Sequence, residues 1–276
     1  MNTLQKFLAA NALFSTAIGV ELLLFQEEVE QLFGLPHSNF FFILGILLLV
    51  FALILVVEII KQRALPVLWI IVQDVLWVVA SIVLLIWDPY NITLEGNIAI
   101  AAVAAVVTVV AIGQSKGLAR MDEGSQRGLK IFRFSRKVKG SKSKIWEVIS
   151  DVGNYHKVAP NIDGAKIVSG EKEGLVRQCT HKGDSWTETC TLWQDERQYS
   201  FKVNTNAPDY PYPLKTLSGT WKIDENLNHE KEIIMVFEFE YKKPIHNVVL
   251  HPLMKYQFTK VCEELLDKWQ EMIEKK

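Results

Sequence analysis

The side chains best suited to chemistry lie in one stretch of alternating residues, Leu175–Trp193. If this stretch is a hairpin that turns near Gly183–Asp184, then Arg177, His181 and Glu188 share one face, because successive strand residues point to opposite sides of a sheet. Histidine titrates near neutral pH, so His181 with Glu188 suits general acid–base catalysis. The other members of that face are Leu175, Cys179, Trp186, Cys190 and Leu192.

Three interpretations of this face are open. In the first, Arg177 pairs with Glu188 while His181 orients the polar group of a ligand in an apolar cavity. The aromatic residues expected to line that cavity are Trp186, Phe201, Trp221, Phe237 and Tyr241. In the second, His181 and Glu188 act as general base and acid on a carbonyl substrate. In the third, the pair is a buried salt bridge among ordinary core aromatics.

Metal binding is a weaker alternative for the same residues. Cys179, His181, Glu188 and Cys190 are suitable ligand types, but neighbouring strand positions seldom converge tetrahedrally on one ion. We therefore expect neither a metal nor a cofactor. The sequence also lacks a phosphate-binding loop, a dinucleotide-binding glycine motif, a nucleophile elbow and an HExxH helix. Kinase, dehydrogenase and hydrolase activities are therefore not supported.

The elements that must position these residues follow from hydrophobic periodicity. Alternation predicts a first strand at Ile131–Val138, and Ser141 can cap a helix at Lys142–Ile149. A helical turn follows near Val152–His156. Six further strands are predicted at Ala165–Ser169, Leu175–Lys182, Ser185–Trp193, Tyr199–Thr205, Leu217–Asp224 and Glu232–Tyr241.

A long amphipathic helix is predicted after His251–Pro252. Its apolar stripe consists of Met254, Phe258, Val261, Leu265, Trp269 and Met272. This order of elements predicts an α+β domain in which a curved antiparallel sheet grips one long C-terminal helix, with a cavity between them. Tyr210 and Tyr212 lie in a proline-rich loop between two strands, which is either a lid on the cavity or a rigid connection.

Three segments of this half resemble a known family. They are DVGNYHKVAPNIDGAKIVSGEKEG at Asp151–Gly174, GLVRQCTHKGDSWTETCTLW at Gly174–Trp193 and DYPYPLKTLSGTW at Asp209–Trp221. Their order and spacing resemble the polyketide cyclase/dehydrase and lipid-transport proteins of the SRPBCC superfamily, which have a START-like helix-grip fold. The resemblance implies a pocket for a hydrophobic ligand and, if His181 and Glu188 are catalytic, a polyketide-like substrate. It does not select between carriers, receptors and cyclases, because such relatives share a pocket rather than a catalytic motif.

The N-terminal half has a different composition. Lys, Arg, Asp and Glu number 12 in residues 1–117 and 49 in residues 118–276. A span needs about 20 apolar residues, and four are predicted, at about 7–25, 40–60, 67–87 and 94–113. We therefore expect a four-helix transmembrane domain of unknown function over residues 1–113, a polar linker over 114–130 and a cytoplasmic helix-grip domain over 131–276.

The loop charges predict the topology. Lys and Arg accumulate in short cytoplasmic loops, and Lys6, Lys61, Arg63 and Lys116 all fall on one side of the predicted bundle, whereas the other loops carry only acidic residues. We therefore predict an integral protein of the bacterial inner membrane with both termini and the C-terminal domain in the cytoplasm. A homo-oligomer formed through the bundle is an open alternative.

Polar residues inside the predicted spans are costly, so they mark either a function or a contact between helices. Asp74 and Ser81 share a face of the third span, and Asn11 lies at a similar depth in the first. We predict that these faces meet, as a proton or ligand site or as polar contacts between helices.

The net charge of −1 is spread without a basic stripe, so nucleic acid is not an expected partner. Three cysteines are too few for a disulfide scaffold. The expected partners are a hydrophobic small molecule and the lipid bilayer.

Overall fold

The computed structural model describes residues 1–36, 39–227 and 229–275. The chain divides into two compact units, Met1–Met121 and Asp122–Lys276. The first unit is helical and the second is built on a single antiparallel sheet. This confirms the predicted fold class, a bundle of apolar helices joined to an α+β helix-grip domain.

The described residues of the first unit form five helices. They are α1 Thr3–Leu24, α2 Gln26–Phe33, α3 Phe40–Lys61, α4 Ala64–Trp87 and α5 Leu94–Ala119. All except α2 are long and apolar enough to cross a membrane. Helix α5 continues to Ala119, so the start of the segment expected to be a polar linker is helical.

Close backbone approach between α1 and α3 explains why glycine faces glycine there. A Cβ atom added at Gly19 would lie 3.0 Å from the carbonyl oxygen of Gly45, and one added at Gly45 would lie 2.9 Å from the carbonyl oxygen of Gly19. Small residues of this kind allow helices to associate in a bilayer, where lipid removes the hydrophobic driving force.

The second unit contains a seven-stranded antiparallel sheet in the order β1-β7-β6-β5-β4-β3-β2. The strands are β1 Lys130–Val138, β2 Gly164–Ser169, β3 Val176–His181, β4 Asp184–Gln194, β5 Gln198–Val203, β6 Leu214–Glu225 and β7 Lys231–Tyr241. The helices are α6 Lys142–Ile149, a 3-10 helix Val152–Lys157, α7 His246–Val249 and α8 His251–Glu274.

In the second unit, local sequence explains where helices α6 and α8 begin. The Ser141 hydroxyl accepts a hydrogen bond from the Lys144 amide at 3.2 Å and caps α6. Pro252 occupies the first turn of α8, where its missing N–H costs nothing. The buried stripe of α8 ends at Ile273, and Met272 is exposed, contrary to prediction, because a helix turns by 3.6 residues and the next inward position after Trp269 is four residues on.

The hairpin of β3 and β4 turns one residue earlier than predicted. Lys182 and Gly183 form the two-residue turn, both with positive φ, at 51° and 93°, as a type I′ turn requires. Arg177 pairs with Glu188 across the strands. The predicted inner face is kept, because moving both ends of the turn by one residue preserves the period of two.

A bulge in β4 changes the face beyond Cys190. The register to β5 shifts between Cys190 and Leu192. As a result Trp193, not Leu192 as predicted, packs in the interior, with its ring stacked on Tyr199 at 5.4 Å.

The segment before β1 is folded onto the second unit. The Ile131 amide donates to the Asp122 carbonyl at 2.9 Å, and Glu123 forms an isolated β-bridge with Lys130. The ordered contacts of this unit therefore begin at Asp122, within the predicted linker.

Candidate functional site

A cavity of about 430 Å³ lies between the inner face of the sheet and α8. This volume falls in the range of small-molecule sites. Its lining is mainly aromatic and aliphatic: Tyr155, Ile162, Trp186, Phe201, Val203, Tyr210, Tyr212, Pro213, Leu214, Leu217, Phe237, Leu250, Leu253, Met254, Phe258, Val261 and Leu265. Leu253 and Gln257 line the cavity and are also exposed, so it reaches the surface at the first turns of α8.

A buried ion pair forms the polar wall of the cavity. Arg177 and Glu188 make a hydrogen-bonded salt bridge, and both are almost wholly buried. Arg177 also donates to the Val152 carbonyl at 3.3 Å, and the Trp186 indole N–H donates to the second Glu188 oxygen at 3.0 Å. Both carboxylate oxygens therefore have donors, which is what a buried charge requires.

Aromatic rings surround the guanidinium group of this pair. The Arg177 Cζ atom lies 4.5 Å from the ring centroid of Tyr155 and 5.5 Å from that of Phe201, in cation–π geometry. Burial lowers the pKa of Arg177, but the charge and hydrogen bond of Glu188, together with the nearby Tyr199 and Cys179, outweigh burial and raise that pKa above its ordinary value. Arg177 is therefore a permanent cation, balanced by Glu188.

A second pair with ionisable groups lies at the edge of the cavity. His181 lines it, and its Nδ1 atom is 3.5 Å from an Asp163 carboxylate oxygen. The other Asp163 oxygen accepts from the Lys182 amide at 2.5 Å, and this hydrogen bond lowers the pKa of Asp163. Asp163 is more than half exposed, so this pair reaches solvent, whereas the Arg177–Glu188 pair is buried.

The proline-rich loop supplies a wall of the cavity. The Trp186 ring packs edge-on against Tyr210 at 5.9 Å and Tyr212 at 6.2 Å. The Tyr210 hydroxyl is buried and has no hydrogen-bond partner among the residues that the structure describes. Burial raises the pKa of Tyr210, so the group stays a neutral donor.

Six of the eight predicted ligand-binding residues line the cavity: Arg177, His181, Trp186, Glu188, Phe201 and Phe237. Trp221 and Tyr241 do not. Trp221 is wholly buried between Phe237 at 4.8 Å and Trp269 at 6.3 Å. The strand period assigns a residue to a face, but it does not say whether the space above that residue is filled.

Tyr155, Asn161, Asp163 and Gln257 contribute to the site but were not predicted. They belong to the 3-10 helix, the following loop and α8, which reach the cavity only through the tertiary fold. The one available signal was the apolar stripe of α8, which marks the helix that closes the cavity.

The proposed metal ligands do not form a metal site. Within the described ranges, no group of three or more His, Cys, Asp or Glu side chains is placed to hold a metal ion. Cys179 and Cys190 are buried free thiols, and burial raises the pKa of Cys179 to about 12. A thiol that stays protonated is a poor ligand.

A separate polar cluster lies where the second unit begins. His251 is wholly buried, with Nε2 3.0 Å from Asp122 and Nδ1 3.2 Å from the Tyr241 hydroxyl. Lys255 also donates to Asp122 at 2.8 Å. Burial lowers the pKa of His251. These contacts attach Asp122 to the first turn of α8.

Two of the three predicted intramembrane polar residues meet in the first unit. The Asn11 side-chain amide donates to Asp74 at 2.9 Å and links α1 to α4. The Ser15 hydroxyl donates to the Asn11 oxygen at 3.2 Å. Ser81 instead donates to the Trp77 carbonyl of its own helix, so it does not join this group.

Comparison with known proteins adds the following. Residues 131–274, more than half of the chain, match the family described as polyketide cyclase/dehydrase and lipid transport. The chain is 18% identical to the solved structure of XoxI from Bacillus cereus, with 52% of this chain and 94% of that chain covered and a TM-score of 0.41.

Two further solved structures are similar. The Zhui aromatase/cyclase from Streptomyces sp. R1128 is 16% identical, with 52% of this chain and 94% of that chain covered and a TM-score of 0.42. The di-domain ARO/CYC StfQ from the steffimycin biosynthetic pathway is 11% identical, with 65% and 61% covered and a TM-score of 0.47. No curated protein matches the chain.

Proposed function

The chain belongs to the polyketide cyclase/dehydrase and lipid transport family, and from this premise we propose that it carries or senses a hydrophobic small molecule at a membrane. The ligand would be a lipid or a polyketide- or isoprenoid-like compound. The observation that carries this proposal is the cavity of about 430 Å³ with largely apolar walls.

The apolar lining favours binding through the hydrophobic effect. Each buried methylene contributes about 0.8 kcal/mol, so a ligand with ten buried carbons would gain roughly 8 kcal/mol before the costs of ordering. The aromatic residues Trp186, Phe201 and Phe237 add flat surfaces for a ring or an unsaturated chain.

The polar groups favour a neutral ligand. Arg177 and Glu188 balance each other, so an anion or a cation entering the cavity would find no net opposite charge in this pair. The buried Tyr210 hydroxyl still lacks an acceptor among the described residues. A ligand carbonyl or hydroxyl oxygen would satisfy it, which suits an apolar molecule with one oxygen-bearing end.

Four apolar helices would keep the cavity at a bilayer, where such a ligand is concentrated. This part of the proposal gives the first unit the role of an anchor. The positively charged loops support a cytoplasmic location for the cavity.

The test is a binding titration of the full-length protein with an apolar fluorescent probe. Val203 lines the cavity, so Val203→Phe should fill it and weaken probe binding at least tenfold. Val168 is exposed on β2 and is not part of the lining, so Val168→Phe is the matched control and should bind normally. Equal binding by both variants would contradict a ligand site in this cavity.

A second candidate function is catalysis of the cyclase/dehydratase kind, and the Asp163–His181 pair favours it. A carboxylate 3.5 Å from the His181 Nδ1 atom would stabilise the imidazolium that forms when the ring acts as a general base. Glu188 is less suited to proton transfer, because Arg177 and Trp186 occupy both of its oxygens. Enzyme activity predicts that His181→Asn abolishes turnover while ligand binding survives, whereas a carrier should show no turnover in either form.

A further inference from the structure

The surface around the cavity opening is unusually apolar. Helix α7 and the first turns of α8 expose Ile245 by 58%, Val249 by 44%, Leu253 by 46% and Tyr256 by 64%. We call this surface the α7–α8 corner and define it as residues 242–260. Large apolar side chains clustered on a surface mark a site that contacts a protein or a membrane.

The charge of the α7–α8 corner has one sign. Residues 242–262 contain four lysines and neither Asp nor Glu. Lys255 contacts Asp122, but Lys242, Lys243 and Lys260 are exposed, and none of them takes part in an ion pair within the described residues. On α8, Leu253, Tyr256 and Lys260 have the spacing of one helix face.

The α7–α8 corner also borders the cavity opening. Leu250, Leu253, Met254 and Gln257 line it, and of these Leu253 and Gln257 are exposed. Whatever contacts the α7–α8 corner therefore covers the cavity opening.

We propose that the α7–α8 corner docks on an anionic lipid bilayer, so that a ligand passes directly between the acyl-chain region and the cavity. The inference rests on the proposed function and names the partner of the same site. Apolar side chains bordered by lysines fit an interface of acyl chains below negative headgroups. Tyrosine is enriched at the same depth of a bilayer.

A bilayer suits this surface better than a second copy of the chain. Two corners brought together would place unpaired Lys242 and Lys243 beside other lysines and no acidic side chain of residues 242–262. Anionic headgroups supply the missing charge. The four apolar helices make a bilayer available at all times.

The test uses the full-length protein in nanodiscs that hold one copy. Val249→Cys carries an environment-sensitive fluorophore, and the native cysteines are buried and remain unlabelled. Val168→Cys, 55% exposed on β2, is the matched control. Brominated acyl chains in phosphatidylglycerol nanodiscs should quench the label at position 249 and leave the label at 168 bright. Equal quenching at the two positions, or none at 249, would overturn the docking.

Charge and partner are tested in two further arms. Lys242→Gln with Lys243→Gln should reduce the quenching at 249, and uncharged phosphatidylcholine nanodiscs should do the same. If neither the lysine substitutions nor the uncharged lipid reduced the quenching, the electrostatic part of the proposal would be contradicted. A blue shift at 249 that appears only with two copies per disc, without bromine quenching, would show a protein partner and overturn the bilayer.

Docking and ligand binding fail in different ways. The ligand content of each variant is measured separately by extraction. A chain that holds ligand but shows no quenching at position 249 loses the docking and keeps the proposed function. A chain that docks but never contains ligand keeps the docking surface and loses the proposed function.

Discussion

Two charged clusters of the second unit differ in their exposure and in what they contact. His251 and Lys255 each bond to Asp122 at the start of α8, and the Phe132 ring stacks on the wholly buried His251 at 5.5 Å. Arg177 and Glu188 also bond to each other, but one side of that pair faces a cavity. The first cluster reaches the surface through Lys255 and holds a helix in place, whereas the second is buried beside the cavity and is available to a ligand.

Removing one charge of the cavity pair should give the largest effect. Arg177→Met leaves the buried Glu188 carboxylate without a counter-charge, with only the Trp186 indole as a donor, and we expect a loss of about 3–5 kcal/mol in the free energy of unfolding. Arg177→Met with Glu188→Leu should cost less than the single change. Denaturant titration of the second unit's unfolding in the full-length chain measures both, and a double variant less stable than Arg177→Met would contradict a balanced pair.

Breaking the Asp122 cluster should affect stability and leave ligand binding unchanged. His251→Ala removes one of the two side-chain partners of the half-buried Asp122 carboxylate, at a cost of about 1–3 kcal/mol. Denaturant and probe titrations of this variant measure both properties. A probe affinity that falls together with stability would contradict the separation of the Asp122 cluster from the ligand site.

The same cluster predicts a pH dependence. Burial lowers the folded-state pKa of His251 below the unfolded value of about 6.5. The unfolded state then binds more protons in that window, so stability should be full above pH 6.5 and fall as the pH drops toward the folded-state pKa. His251→Gln should flatten this dependence in thermal melts between pH 5 and 8. If the stability of His251→Gln varied with pH as the wild type does, the pH dependence would come from groups other than His251.

Two buried tyrosines allow a comparison between a residue that lines the cavity and a residue of the packed core. The hydroxyls of Tyr210 and Tyr199 both lack partners among the described residues, but Tyr199 does not line the cavity. Tyr210→Phe should weaken the binding of an oxygen-bearing ligand by roughly fivefold, equivalent to about 1 kcal/mol. Tyr199→Phe should bind normally. Competition titrations with the fluorescent probe decide, and equal losses would remove the assigned role of Tyr210.

The smallest effect is expected in the first unit. Asn11→Ala removes the bond to Asp74, and such interhelical bonds in membranes average about 0.6 kcal/mol. Ser81→Ala, whose hydroxyl bonds within its own helix, is the control. Unfolding in detergent mixtures should separate the two variants only slightly. A loss of several kcal/mol for Asn11→Ala would mean that the Asp74 group does more than join helices.

Local pattern was sufficient for most of the second unit. A period of two located the strands, and Ser141 marked the start of α6 at the residue where it begins. The inner face of the hairpin was also predictable, because an error of one residue at each end of the turn leaves the face unchanged.

The sequence pattern could not predict which inner-face residues line the cavity, or which residues distant in sequence contact each other. The strand period assigns Trp221 and Phe201 to the same face of the sheet. In the structure, Trp221 packs against Trp269, whereas Phe201 lines the cavity. Asp163 comes near His181 only because β2 pairs with β3. The bulge after Cys190 had no local signal in residue type, so Leu192, and not Trp193, was assigned to the inner face.

Native mass spectrometry of the full-length protein, purified from cells and followed by lipid extraction, tests the central claim most directly. We expect a co-purifying lipophilic molecule that is lost in Trp186→Ala, a cavity variant, and retained in Val168→Ala, an exposed one. A folded wild-type protein that carries no such molecule and binds no apolar probe would contradict the account.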